Sequence, residues 1–141
     1  MKKEINVFDY AEQIMKALEK GVLLTTKADG KSNSMAISWG TLGIEWGKPI
    51  FTVFVREHRF THEQLDKSME FTVNIPMGEY DKKIIGICGS KSGRNLDKIT
   101  EAGLTVVEGD VIQAPAFKEF PLTLECKVIY RQEQEPAFMT E

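Results

Sequence analysis

The alternation of apolar and polar positions sets out most of this chain's elements. From Val7 to Lys20, the residues Phe8, Ala11, Met15 and Leu18, with Ile14 beside them, recur at helical spacing. Asn6 is a fair N-cap for that helix and Gly21 a fair stop. The run GVLLTT then reads as a short strand, and Ala28-Asp29-Gly30-Lys31 as a hairpin turn. The next run, SNSMAISWG, alternates strictly, with Met35, Ile37 and Trp39 on one face. Ser34, Ala36, Ser38 and Gly40 make up the other face, which carries only small groups. Such a face is either covered by another element or left free for a planar ligand. The plain alternative is a strand facing solvent, but solvent faces usually carry longer polar side chains such as Lys, Glu or Thr, which tips the balance slightly toward the ligand.

Past Thr41-Leu42-Gly43, a second turn is predicted at Trp46-Gly47-Lys48-Pro49. The continuous run IFTVFV fits a strand buried on both faces. A short helix is predicted from about Thr61 to Lys67, and EFTVNIP is a clear strand closed by Pro76. Tyr80 to Cys88 reads as helical, Gly89 to Arg94 as a loop, and Asn95 to Ala102 as a helix stopped by Gly103. LTVVEGDVI supplies a strand and turn, and Leu122 to Arg131 the last strand. About six strands with three or four helices, not in regular βαβ alternation, point to a mainly β fold. We expect a closed or partly closed antiparallel barrel with peripheral helices. The polar RQEQEPAFMTE segment is expected to be loose or to lean on a partner.

Size and charge narrow the class. At 141 residues the chain reads as one domain, 1–141. Hydrophobic residues at 42% and charged residues at 28% fit an ordinary globular protein. A net charge of −3 with mixed signs argues against nucleic acid as a partner. No apolar run approaches the ~20 residues needed to span a bilayer, so no membrane association is expected. The N-terminal MKKEINVFDYAEQ lacks an apolar signal region, which makes the cytoplasm the default compartment. Cys88 and Cys126 form no metal spacing with His58 or His62 and are expected to be reduced. Cys126, in line with Leu124 and Val128, reads as a small core residue. Packing is also the simpler reading of Cys88. No metal site is predicted.

The segment TVFVREHRFTHEQL carries the most chemistry. It delivers Arg56 and Arg59 to a helix start, where Thr61 and Gln64 have capping-box spacing. A helix N-terminus offers unpaired N–H groups and partial positive charge, so two guanidiniums beside it make a pocket for a phosphate. The same arginines also suit surface pairs with Glu57 and Glu63. The loop GICGSKSGRN fails the P-loop pattern, because Ser90 stands where a glycine must precede Lys91. Its N–H groups with Ser90, Lys91, Ser92 and Arg94 still suit an anion. There is no G-x-S-x-G elbow, and Ser38 has no evident base, so hydrolase chemistry is disfavoured.

In order along the chain, GVLLTT, NSMAISWGTLG, Trp46-x-Lys48-Pro49, VREHRFT, EFTVNIP, CGSKSGRNLDK with GLT, and LECKVIY resemble the flavin reductase-like proteins with an FMN-binding split barrel. Within these the likeness is to the flavoredoxin-type group. It covers about residues 10 to 131. The resemblance implies a homodimer that holds FMN non-covalently near the subunit interface. It also implies an oxidoreductase using NAD(P)H to reduce flavin or a flavin-accepting substrate. The alternative is a flavoredoxin-like electron-transfer flavoprotein with little NAD(P)H turnover and a redox protein as partner. Asn33, Ser34, Met35, Ala36, Ser38, Trp39, Gly40 and Thr41 would line the ring and ribityl chain. Arg56, Arg59 and Thr61 would hold the phosphate, with Phe60 also at the cofactor. The loop at Gly89 to Gly93, Ser92 included, with Lys98 on the following helix, would close over the cofactor. No catalytic side chain is assigned, since redox chemistry belongs to the flavin. Family members commonly continue with another strand after the LECKVIY segment, and that strand is expected to be missing here or replaced by a partner's.

Overall fold

The computed structural model describes residues 2–56, 59–78, 80–94 and 97–140. Its centre is an antiparallel sheet in the order β2-β1-β5-β8, formed by β1 (Val22–Ala28), β2 (Lys31–Ile37), β5 (Glu70–Ile75) and β8 (Leu122–Lys127). Two hairpins flank it: β3 (Gly40–Glu45) with β4 (Lys48–Val53), and β6 (Val106–Val107) with β7 (Ala116–Phe117). The helices are α1 (Ala11–Lys20), α2 (Phe60–Ser68), α3 (Lys83–Ser90) and α4 (Lys98–Glu101). Among the described residues no helix is long and apolar enough to cross a membrane.

Strand alternation divides the core between the two faces of the sheet. Val22, Leu24, Met35, Ile37, Phe71, Val73 and Ile75 face Ile14 and Leu18 of α1, with Leu42 and Phe51 of the β3–β4 hairpin packed alongside. Leu23 faces the other way, toward Ile84 and Cys88 of α3, Ile99 of α4, Phe117 and Phe120. The second face also buries polar groups, and each is paired. Asn74 Nδ2 donates to Thr25 Oγ1 at 3.0 Å, Thr72 donates to the Pro115 carbonyl at 2.7 Å, and Thr123 donates to Asn74 Oδ1 at 2.9 Å.

Several elements depart from the sequence pattern for local reasons. The first helix opens with a 3-10 turn (Val7–Tyr10), capped by Asn6, before α1 begins; Gly21 ends it as expected. IFTVFV is not buried on both faces, because β4 pairs only with β3 in a half-exposed hairpin. β3 lacks an apolar run and escapes pattern reading. It forms because Trp46 (φ 54°) and Gly47 (φ 72°) make a two-residue turn with both residues left-handed, as Asp29 and Gly30 do between β1 and β2. The LTVVEGDVI strand shrinks to Val106–Val107, since the Glu125 carboxylate accepts the Val111 and Ile112 amides at 3.1 and 3.4 Å and draws the chain aside. β8 ends at Lys127, short of Arg131. α3 runs on through Gly89 and Ser90, where a loop was expected. The helix expected from Asn95 is α4, capped by Asp97, whose carboxylate accepts the Thr100 amide at 3.2 Å. Asn95, like His58, lies outside the described residues.

The capping box at α2 does not form. Arg59 is the N-cap residue, and no side chain caps the helix. Thr61 and Gln64 are both buried and turn to the sheet instead. Thr26 donates its hydroxyl to Gln64 Oε1, Gln64 Nε2 donates to the Lys31 carbonyl at 2.9 Å, and Asn33 Nδ2 donates to Thr61 Oγ1 at 3.1 Å. These three bonds fix the start of α2 against β1 and β2. Gln64→Glu separates the two arrangements. A capping box accepts Glu, whereas the observed one loses its donor to Lys31 and buries a charge. Urea unfolding is expected to show a loss of about 2 kcal/mol; an unchanged stability would restore the capping box.

Candidate functional site

β2 is an edge strand of the sheet, and its first half meets the start of α2 and the end of α3. Between them lies a cavity of about 190 Å³. Asn33 comes from β2, Arg59, Phe60 and Thr61 from the start of α2, residues 89–93 from the α3 terminus and the loop after it, and Lys98 from α4. Among the described residues its charged lining is Arg59, Lys91 and Lys98, with no carboxylate. Gly93 packs so closely that a Cβ there would sit 2.1 Å from Asn33 Oδ1 and 2.9 Å from Phe60 Cδ2, so only glycine fits.

The two inner cations define the electrostatics. Among the described residues, the buried Arg59 Nη2 has no hydrogen-bond partner. Buried donors are almost always paired, so an orphan guanidinium nitrogen marks a place built for an acceptor. Lys98 is only 2% exposed, and its Nζ donates to the Cys88 carbonyl at 3.0 Å. Burial brings its pKa down to about 8, with Arg59 adding to the fall and Cys88 opposing it. Arg59 is itself pushed down, by burial first and then by Arg56. Two like charges drawn out of water at one place favour an incoming anion. The α2 N-terminus adds partial positive charge. The donor set therefore fits a phosphate.

The expected site residues divide into groups. Asn33, Arg59, Phe60, Thr61, Gly89, Ser92 and Lys98 meet at the cavity. Ser38, Trp39 and Gly40 lie on a second, open hollow of about 440 Å³, lined also by Met15, Leu18 and Glu19 of α1 and by Phe54. Arg56 is not among the cavity-lining residues; its guanidinium carbon lies 5.5 Å from the Trp39 ring centroid. Thr41 is exposed on β3.

The bare face of SNSMAISWG is covered over part of its length. Ser34 is buried and hydrogen-bonds Thr25 at 3.0 Å, and Ala36 is half-buried beside Gly89 of α3. Met35 points into the α1-side core. Trp39 departs from that core face, because β2 ends at Ile37 and leaves its ring 61% exposed. The cysteines pack as read. Cys88 is fully buried with its thiol pushed up by burial, and burial takes Cys126 up to about 12.

Sequence reasoning offered the glycine–serine loop, Ser90 and Lys91 included, to an anion, and Ser90, Lys91 and Gly93 line the cavity. It missed Met15, Leu18, Glu19 and Phe54. Met15 and Leu18 carry helical core periodicity, and nothing in that pattern tells a residue beneath a hollow from one in the interior.

Residues 15–138 match the flavin reductase like domain, and the chain belongs to that family. Among solved structures it is similar to flavoredoxin of Desulfovibrio vulgaris (Miyazaki F), at 32% identity and a TM-score of 0.73 over 80% of this chain and 61% of that one. It shares its fold with an FMN-binding domain of a flavin reductases-like enzyme from Shewanella baltica, at 21% identity and a TM-score of 0.70 over 86% and 64% of the two chains. A curated relative, the uncharacterized protein YddH of Escherichia coli, is 31% identical over 76% of this chain and 58% of its own. The chain spans about half the length of the curated relatives it matches, 41% and 58%. The antiparallel architecture with a few helices is that of the flavin reductase-like split barrels.

Lys98 gives a pH test of the ligand-free site. Its folded pKa of about 8 lies below the ordinary 10.5, so between those values the unfolded chain holds more protons. Lys98 therefore costs stability below pH ~8 and stops doing so as pH rises toward ~10. The stability difference between wild type and Lys98→Met, measured by urea unfolding, is expected to move in favour of wild type across that window. A difference that stays flat with pH would show that Lys98 is not strained by burial.

Proposed function

We propose that this chain binds FMN and works as an oxidoreductase of flavin reductase type, using NAD(P)H to reduce flavin or a flavin-accepting substrate. The observation that carries the reading is the buried, unpaired Arg59 Nη2 in one cavity with buried Lys98. That is a phosphate-shaped demand in a chain of the flavin reductase-like family. Arg59, Lys98, Thr61 and the N–H groups of the 89–93 loop hold the phosphate. The ribityl chain and ring run along β2 toward Ser38, Trp39 and Gly40, where the open hollow gives a flat apolar berth. Arg56 supports that end by stacking on Trp39. The bound flavin supplies electron transfer in one- or two-electron steps. The side chains bind, orient and shield it. A second copy of the chain closes the hollow in a homodimer, where NAD(P)H reaches the ring.

A second reading is a flavoredoxin-like carrier that keeps FMN and exchanges electrons with a redox protein. The likeness to flavoredoxin at 32% identity supports it. Purified protein mixed with FMN is expected to show a perturbed flavin spectrum that bleaches with reductant. FMN-dependent oxidation of NADH or NADPH favours the reductase, and a reducible flavin without turnover favours the carrier. Unperturbed FMN excludes both. Arg59→Ala is expected to weaken FMN by about ten- to a hundredfold and riboflavin little, since the lost contact is one charged hydrogen bond to phosphate. Equal loss for both ligands would remove Arg59 from the phosphate.

A further inference from the structure

The outer wall of the cavity is fastened by residues that do not line it. The Gly93 carbonyl accepts a hydrogen bond from Lys31 Nζ at 2.7 Å. The same ammonium lies over the Phe60 ring, 4.9 Å from its centroid. Arg94 lies over that ring as well, at 5.5 Å, and its Nη1 pairs with Glu63 Oε1 at 2.6 Å. Gly93 itself is pressed against Asn33 and Phe60. Thus β2, through Lys31, and α2, through Phe60 and Glu63, grip both ends of one peptide in the segment that lines the cavity with Arg59 and Lys98. Each grip is half-exposed and weak, as surface ion pairs and cation–π contacts are. A fastening of this strength holds a loop closed and still lets it open.

We propose that Lys31, Glu63 and Arg94 form a latch that holds the 91–94 segment shut over the phosphate, so that they set how fast a phosphate-bearing flavin leaves. They are positioning residues, because none lines the cavity. The proposal rests on the FMN reading for its ligand and on geometry alone for the latch.

The latch is tested in Lys31→Met, Glu63→Gln and the double variant, each measured with and without FMN. In the cofactor-free proteins, amide hydrogen exchange of residues 91–94 is expected to quicken about threefold in each single variant and about tenfold in the double, as weak contacts are lost in turn. Exchange in β1 and β5 is expected to stay unchanged. With FMN, the dissociation rate rises in the same order. Unchanged exchange at 91–94 in the double variant overturns the latch, whatever FMN does. Faster exchange with an unchanged FMN dissociation rate overturns its control of release. A wild-type protein that binds no FMN overturns the functional reading and leaves the exchange comparison to decide the latch.

Discussion

Two cations line one small cavity in this protein, one of them almost wholly buried and the other with one nitrogen out of reach of water. Lys98 is almost wholly buried, and Arg59 keeps a buried nitrogen with nothing to bond. Taking a charge out of water costs several kcal/mol unless a partner is supplied. The Cys88 carbonyl supplies part of that partner for Lys98. The rest is left open, and the lowered lysine pKa expresses the same unmet need. That unmet demand is what the proposed phosphate would satisfy. Nearby, the missing side chain at Gly93 leaves room for Asn33 and Phe60, and the Asp97 cap starts the helix that carries Lys98.

The central sheet makes that arrangement rigid. Its faces are packed by two separate apolar clusters, which leaves the β2 edge as the place where polar groups meet. Asn33 and Thr26 carry the polar demand of the strands to α2, and Thr61 and Gln64 answer it. The start of α2 is thereby fixed, and Arg59 with it. The residues that read as a helix cap in sequence are the residues that dock the helix. Two hollows result: one lined by buried charge at one end of β2, and an open, largely apolar one beyond its other end.

Much of this was legible in the sequence, and the failures have physical causes. Alternation placed Met35 and Ile37 in the core and failed at Trp39, because periodicity does not announce where a strand stops. The Arg56–Arg59 pair read as one feature, but the chain sends one to Trp39 and one to the cavity, since residues three apart need not share an environment outside regular structure. Thr61 and Gln64 matched a local motif, yet tertiary hydrogen bonds to β1 and β2 outcompeted it. β3 was invisible because its sequence, GTLGIE, gains its partner only through the left-handed Trp46–Gly47 turn. The loop glycines were visible as a run. Their separate meaning, with Gly93 excluded from bearing a Cβ, depends on Asn33 and Phe60, far away in sequence.

The claim on which everything rests is that a phosphate settles between Arg59 and Lys98. An anion there must lift the Lys98 pKa from about 8 back toward its ordinary value. Binding at about pH 8.5 must then draw protons from the buffer, because the lysine is mostly neutral before and charged after, while the FMN phosphate, with its second pKa near ~6, stays doubly ionised. The direct measurement is calorimetry of FMN binding at that pH in buffers of different ionisation enthalpy. The account predicts net proton uptake on FMN binding in the wild-type protein and none in Lys98→Met. Tight FMN binding with no proton uptake in the wild type would place the phosphate elsewhere and contradict it.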